Sequence, residues 1–120
     1  MTYTDMKNML DVVSDPVQKL ELVMDFGRTL SDVPDGAVCT EIVGCSSFVE
    51  LCRVGNKFYG RADSALVRGM VAMFVAMVDG KTPQEIKKLD LNAEFQSWNL
   101  NLGAGRLNGA NSVIRFLQNL

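Results

Sequence analysis

A chain of 120 residues that is 48% hydrophobic and 22% charged has enough sequence for one core and too little for two. Its formal net charge of −2 leaves no basic excess to neutralise phosphates, which sets nucleic-acid partners aside. Lacking histidine, it has neither Ser-His-Asp nor Cys-His catalysis, and it loses the commonest general base and most zinc sites. Three cysteines, an odd number, with no charged and apolar leader ahead of them, predict a cytoplasmic protein with reduced thiols, not a disulfide framework.

In chain order, Met6, Met9, Leu10 and Val13 recur at helical spacing and predict a short amphipathic helix over 4–13, with Thr2 or Thr4 as its cap. Asp15-Pro16 opens a second helix over 16–30, with Gln18 placed for a capping-box-like pair. A loop holding Pro34 and Asp35-Gly36 leads to three predicted strands, 37–43, 48–54 and 57–61, the last two joined by a Gly55-Asn56 hairpin turn. Cys39 and Cys52 fall inside the first two strands, where a small apolar core role is expected.

Asp63 reads as the N-cap of a helix over 64–78 that is apolar nearly all round and so forms the buried centre of the fold. Arg68 interrupts its apolar run, which is shorter than the ~20 residues a bilayer requires, so no membrane span is expected. Thr82-Pro83-Gln84-Glu85 is a full capping box for a short helix, and a further turn carries Phe95 and Trp98, the tryptophan expected as a half-buried lid. Gly103, Gly105 and Gly109 match neither the dinucleotide nor the Walker pattern; they read as a flexible approach to a last helix with Leu107, Ala110, Val113, Ile114 and Leu117 at core spacing.

The stretch with chemical promise is Gly44-Cys45-Ser46-Ser47, a cysteine in a small-residue turn between strands. Glycine lets the backbone bend there and two serines keep the corner small and polar, which presents the thiol at a loop tip. The competing reading is a cysteine buried as a small hydrophobe.

Val43-Gly44-Cys45-Ser46-Ser47, then Gly60 to Asp63 leading into Ala65-Leu66-Val67-Arg68-Gly69-Met70, then Thr82-Pro83-Gln84-Glu85-Ile86, and finally Arg106-Leu107-Asn108-Gly109 together resemble the SufE family, the cysteine desulfuration proteins of iron–sulfur cluster assembly. The resemblance implies a single SufE-like domain over 1–120. Its fold would be α+β, a small antiparallel three-stranded sheet packed against helices, shared with IscU-type scaffolds. It further implies that Cys45 accepts sulfane sulfur from the persulfide of a SufS-like cysteine desulfurase, stimulates that enzyme and passes the sulfur to an iron–sulfur scaffold complex. Gly44, Ser46, Ser47, Asp63 and Arg106 would support the cysteine or face the partner. No cofactor is implied for this chain, since the pyridoxal chemistry belongs to the desulfurase, and a monomer or weak dimer is expected.

Sulfur acceptance requires a thiolate, and at an ordinary pKa near ~8.5 only about 3% of a thiol is ionised at pH 7. Lowering that pKa to ~7 takes roughly 2 kcal/mol, which one nearby guanidinium can supply, and Arg106 is the candidate to approach Cys45 or the incoming partner. Two rival readings compete: an IscU-like scaffold holding a cluster or zinc with Cys39, Cys45 and Cys52, and a plain interaction domain whose cysteine is incidental.

Overall fold

A computed structural model describes residues 1–120. The chain runs α1 (Tyr3–Asp11), α2 (Pro16–Phe26), a 3-10 turn (Gly27–Thr29), β1 (Val38–Glu41), β2 (Val49–Val54), β3 (Lys57–Ala62), α3 (Ala65–Val78), α4 (Pro83–Lys87), α5 (Leu91–Ser97) and α6 (Ala104–Gln118). This is a small α+β fold with an open antiparallel sheet in the order β1-β2-β3, as the sequence pattern leads one to expect.

The helices start where their caps dictate. Thr2 and Asp5 form a reciprocal capping box on α1, Asp15 accepts from the N–H groups of Val17 and Gln18 ahead of α2, and Thr82 and Glu85 form a second full box on α4. Helix α3 buries Leu66, Met70, Val71, Met73, Phe74 and Met77, as its apolar run requires. Helix α2 lies so close to it that a Cβ on Gly69 would stand 1.8 Å from the Val23 carbonyl oxygen. Only glycine permits that approach.

Alternation sorts the sheet into two faces. Val49, Leu51, Phe58, Gly60 and Ala62 are buried on the inner face, where a Cβ on Gly60 would overlap Val71 of α3. Cys39, Glu41, Glu50, Cys52, Tyr59 and Arg61 share the outer face by the register Cys39↔Cys52↔Tyr59 and Glu41↔Glu50↔Arg61.

Three expectations are corrected. Cys39 and Cys52 are not reduced but form a disulfide; Cys52 is buried as expected, whereas Cys39 is exposed and fills no core. Ile42 N–H donates to the Val49 carbonyl oxygen at 2.8 Å, so counting down the ladder makes 39↔52 a non-hydrogen-bonded pair, the type whose Cα atoms approach most closely; here they are 4.0 Å apart. Trp98 is not a half-buried lid but fully buried, packed on Phe74 and Phe95, with its Nε1 donating to the Tyr3 hydroxyl at 2.8 Å. Asp63 is not the cap of α3; Ser64 holds that position without a side-chain bond, and Asp63 instead joins the chain to the loop before β2, its N–H donating to the Phe48 carbonyl oxygen at 3.3 Å.

Candidate functional site

The loop 42–48 carries Cys45 between β1 and β2 and is tied at each end. The Ile42 bond to Val49 closes the ladder on one side, and the Asp63 bond to Phe48 joins the other end to the β3–α3 turn. Gly44 adopts φ +96°, a left-handed conformation that costs a side-chain-bearing residue about 1–2 kcal/mol. A Cβ there would also lie 2.6 Å from Ser112 Oγ.

The loop rests on α6 through small residues. A Cβ on Gly105 would come 3.4 Å from Ser46 Oγ, and one on Gly109 would come 3.3 Å from Cys45 Sγ. Gly105, Gly109 and Ser112 are spaced by four and three residues, one face of a helix, and this face is the floor on which the loop sits. The Cys45 thiol donates a long hydrogen bond, 3.8 Å, to the Gly109 carbonyl oxygen. These three residues were missed as site residues by reading the glycines as a flexible approach, although their i, i+4, i+7 spacing was present in the sequence.

Beneath the thiol is a cavity of about 20 Å³, bounded by Val67, Met70 and Phe74 of α3 and by Arg106 and Val113 of α6. That is room for about one water-sized group. Cys45 is half-buried and is the one free cysteine.

Burial pushes the Cys45 thiol above its ordinary value, because a thiolate loses its water there. This direction is the reverse of the lowering expected from Arg106. Arg106 is exposed on the first turn of α6 and lines the cavity, but desolvation alone sets the direction in the resting protein. Gly44 and Ser46 are exposed and Ser47 half-buried in the same loop, so Gly44, Cys45, Ser46, Ser47 and Arg106 are brought together. Asp63, also exposed, meets the loop through its backbone.

Cys39 and Cys52 are not brought to Cys45. Their sulfurs cluster with the Glu50 carboxylate on the outer face of the sheet, whereas Cys45 faces α6. The three-cysteine scaffold arrangement is therefore absent. No helix is long and apolar enough to cross a membrane.

The chain matches the family model for SufE, described as the Fe-S metabolism associated domain, over residues 4–120. It is similar to an uncharacterised SufE-like protein of Rhizobium meliloti, 31% identical over 105 residues that cover 78% of this chain and 75% of the relative. A second such protein, from Rhizobium etli, is 30% identical over 105 residues, 78% of this chain and 71% of its own length.

Proposed function

This chain belongs to the SufE family of iron–sulfur metabolism, and from that premise we propose that Cys45 is a sulfur acceptor and carrier, taking sulfane sulfur from a cysteine desulfurase and handing it to an iron–sulfur cluster scaffold. The observation that carries the reading is the one free thiol, half-buried over a cavity about one atom group in size. In the transfer, Cys45 thiolate attacks the terminal sulfur of the donor's persulfide; a new S–S bond forms on Cys45, the donor's S–S bond breaks and the donor cysteine leaves as thiolate. The cavity supplies space in which one added sulfur is sheltered from solvent thiols.

Burial favours the protonated thiol over the nucleophilic thiolate in the resting loop. Docking must then lift Cys45 out of the cavity, which the positive φ of Gly44 and the small floor of α6 permit. Once outside, the thiolate lies within reach of Arg106 at the rim, which also faces the partner. Ser46 and Ser47 keep the loop small enough to enter a partner's active site, and Asp63 fixes the loop's base. We propose that this operates as a single domain over residues 1–120, in the cytoplasm, with stimulation of the desulfurase following from removal of its persulfide sulfur.

Intact-mass spectrometry after incubation with a cysteine desulfurase and cysteine tests the reading. The wild type gains about 32 mass units per sulfur accepted; Cys45→Ser gains none, and the double variant Cys39→Ser/Cys52→Ser gains as the wild type does. A gain that persists in Cys45→Ser, or no gain in the wild type, overturns it.

A further inference from the structure

We propose that the outer face of the sheet carries a second functional site: once the Cys39–Cys52 disulfide is reduced, the two thiolates with Glu50, and Glu41 beside it, bind a zinc-class divalent cation.

Four consecutive outer-face positions of the β1–β2 ladder read Cys39 opposite Cys52 and Glu41 opposite Glu50. The register thus sets a Cys-x-Glu beside a Glu-x-Cys, with the donors of Cys39, Cys52 and Glu50 gathered together and Glu41 at the adjoining position. Carboxylates directly opposite in an antiparallel pair repel, and a cation between them converts that repulsion into attraction. Glu50 is only partly exposed and is held from the third strand by Arg61, whose Nη1 donates to its Oε1 at 2.8 Å. That contact orients the carboxylate over the sulfurs.

The donor atoms of Cys39, Cys52 and Glu50 already lie within 4.8 Å of one another, with Cys52 Sγ 3.7 Å from Glu50 Oε1. Tetrahedral zinc, with sulfur at about 2.3 Å and oxygen at about 2.0–2.2 Å, separates a thiolate from a carboxylate by about 3.6 Å and two thiolates by about 3.8 Å. A disulfide holds its Cβ atoms about 3.5–4.5 Å apart, and with the Cα atoms at 4.0 Å rotation of the two reduced side chains about Cα–Cβ carries the sulfurs apart to that bite without moving the strands. Thiolate with carboxylate suits a borderline cation such as zinc better than magnesium or calcium, which take oxygen alone.

Disulfide and metal site exclude each other. A dithiol reductant supplies two electrons and two protons, becoming a disulfide itself as the Cys39–Cys52 bond breaks; zinc then displaces the thiol protons to solvent. The exposed Cys39 side of the bond is where such a reductant attacks. This site is independent of Cys45 and of the sulfur-carrier reading.

The test uses full-length protein carrying Cys45→Ser, so that only two cysteines remain, reduced or air-oxidised and then desalted. Metal analysis after incubation with zinc chloride, and titration with cobalt(II), report uptake and sulfur ligation. The reduced form takes up one zinc and shows sulfur-to-cobalt charge-transfer absorption; the disulfide form does neither. Cys39→Ser or Cys52→Ser weakens binding by more than about 100-fold and abolishes the absorption, Glu50→Gln weakens it about 10-fold and Glu41→Gln less, with folding checked by circular dichroism. No zinc uptake by the folded, reduced protein, or equal uptake by the disulfide form or by a variant lacking both cysteines, overturns the proposal.

Discussion

Cys45 and Cys52 stand seven positions apart in one hairpin, yet their surroundings assign them opposite chemistry. Cys52 projects from the outer face of the sheet and meets another cysteine across the strand, so its sulfur is bound. Cys45 projects from a loop onto the glycine face of α6 and meets a carbonyl oxygen and an apolar cavity, so its sulfur is free. The difference teaches that a cysteine's role here follows from what stands within about 4 Å of its sulfur, since thiol chemistry is set by charge, solvation and a partner sulfur.

The contrast is broken most strongly at the disulfide. Cys39→Ser opens a crosslink between residues 13 apart in sequence, and the loop-entropy account puts the loss of such a closure at about 3 kcal/mol. Urea unfolding under non-reducing conditions should show that loss, while sulfur uptake at Cys45 is retained. Loss of both together would mean that the crosslink holds the Cys45 loop in place.

Next in size is Gly44→Ala. The left-handed φ costs about 1–2 kcal/mol, and the overlap with Ser112 pushes the loop off α6. A lower melting temperature with faster alkylation of Cys45 is expected; unchanged alkylation would show that the loop does not depend on this seat.

Gly109→Ala acts on the thiol more than on the fold. Alanine's helix preference offsets the tight contact, leaving stability within about 1 kcal/mol of wild type, while the methyl group displaces Sγ and speeds iodoacetamide labelling. In the wild type, the labelling rate plotted against pH should have its midpoint above that of an ordinary thiol, and Gly109→Ala should move it down. The same shift bears on stability. A thiol whose folded pKa is raised favours the folded state below its unfolded pKa, and that contribution is lost as pH rises through the folded pKa. Unfolding free energy should therefore fall on the alkaline side, and less so in Cys45→Ser.

Smallest in the isolated protein is Arg106→Ala. It should leave folding and labelling of free Cys45 unchanged, because the guanidinium is exposed and does not set the thiol's resting state. Sulfur uptake from a desulfurase should slow; unchanged uptake kinetics would remove Arg106 from the transfer.

Local sequence determined much of this molecule. The capping boxes at Thr2 and Thr82, the Asp15-Pro16 start, the Gly55-Asn56 turn and the apolar run of α3 fixed the elements, because each is settled by neighbours within one turn or one hairpin. Gly44-Cys45-Ser46-Ser47 marked the loop and its cysteine. What tertiary structure decided is which side chains meet across long separations. The register that sets Cys39 against Cys52 depends on how the loop 42–48 closes, and no local pattern fixes that closure. Trp98 is fully buried because Phe74 and Phe95 cover its ring, and Tyr3, 95 residues away, accepts the N–H that burial would otherwise leave unpaired. The thiol of Cys45 is pushed upward, not lowered, because α6 returns to cover it; solvation of a sulfur is a property of the walls around it, and those walls come from the far end of the chain.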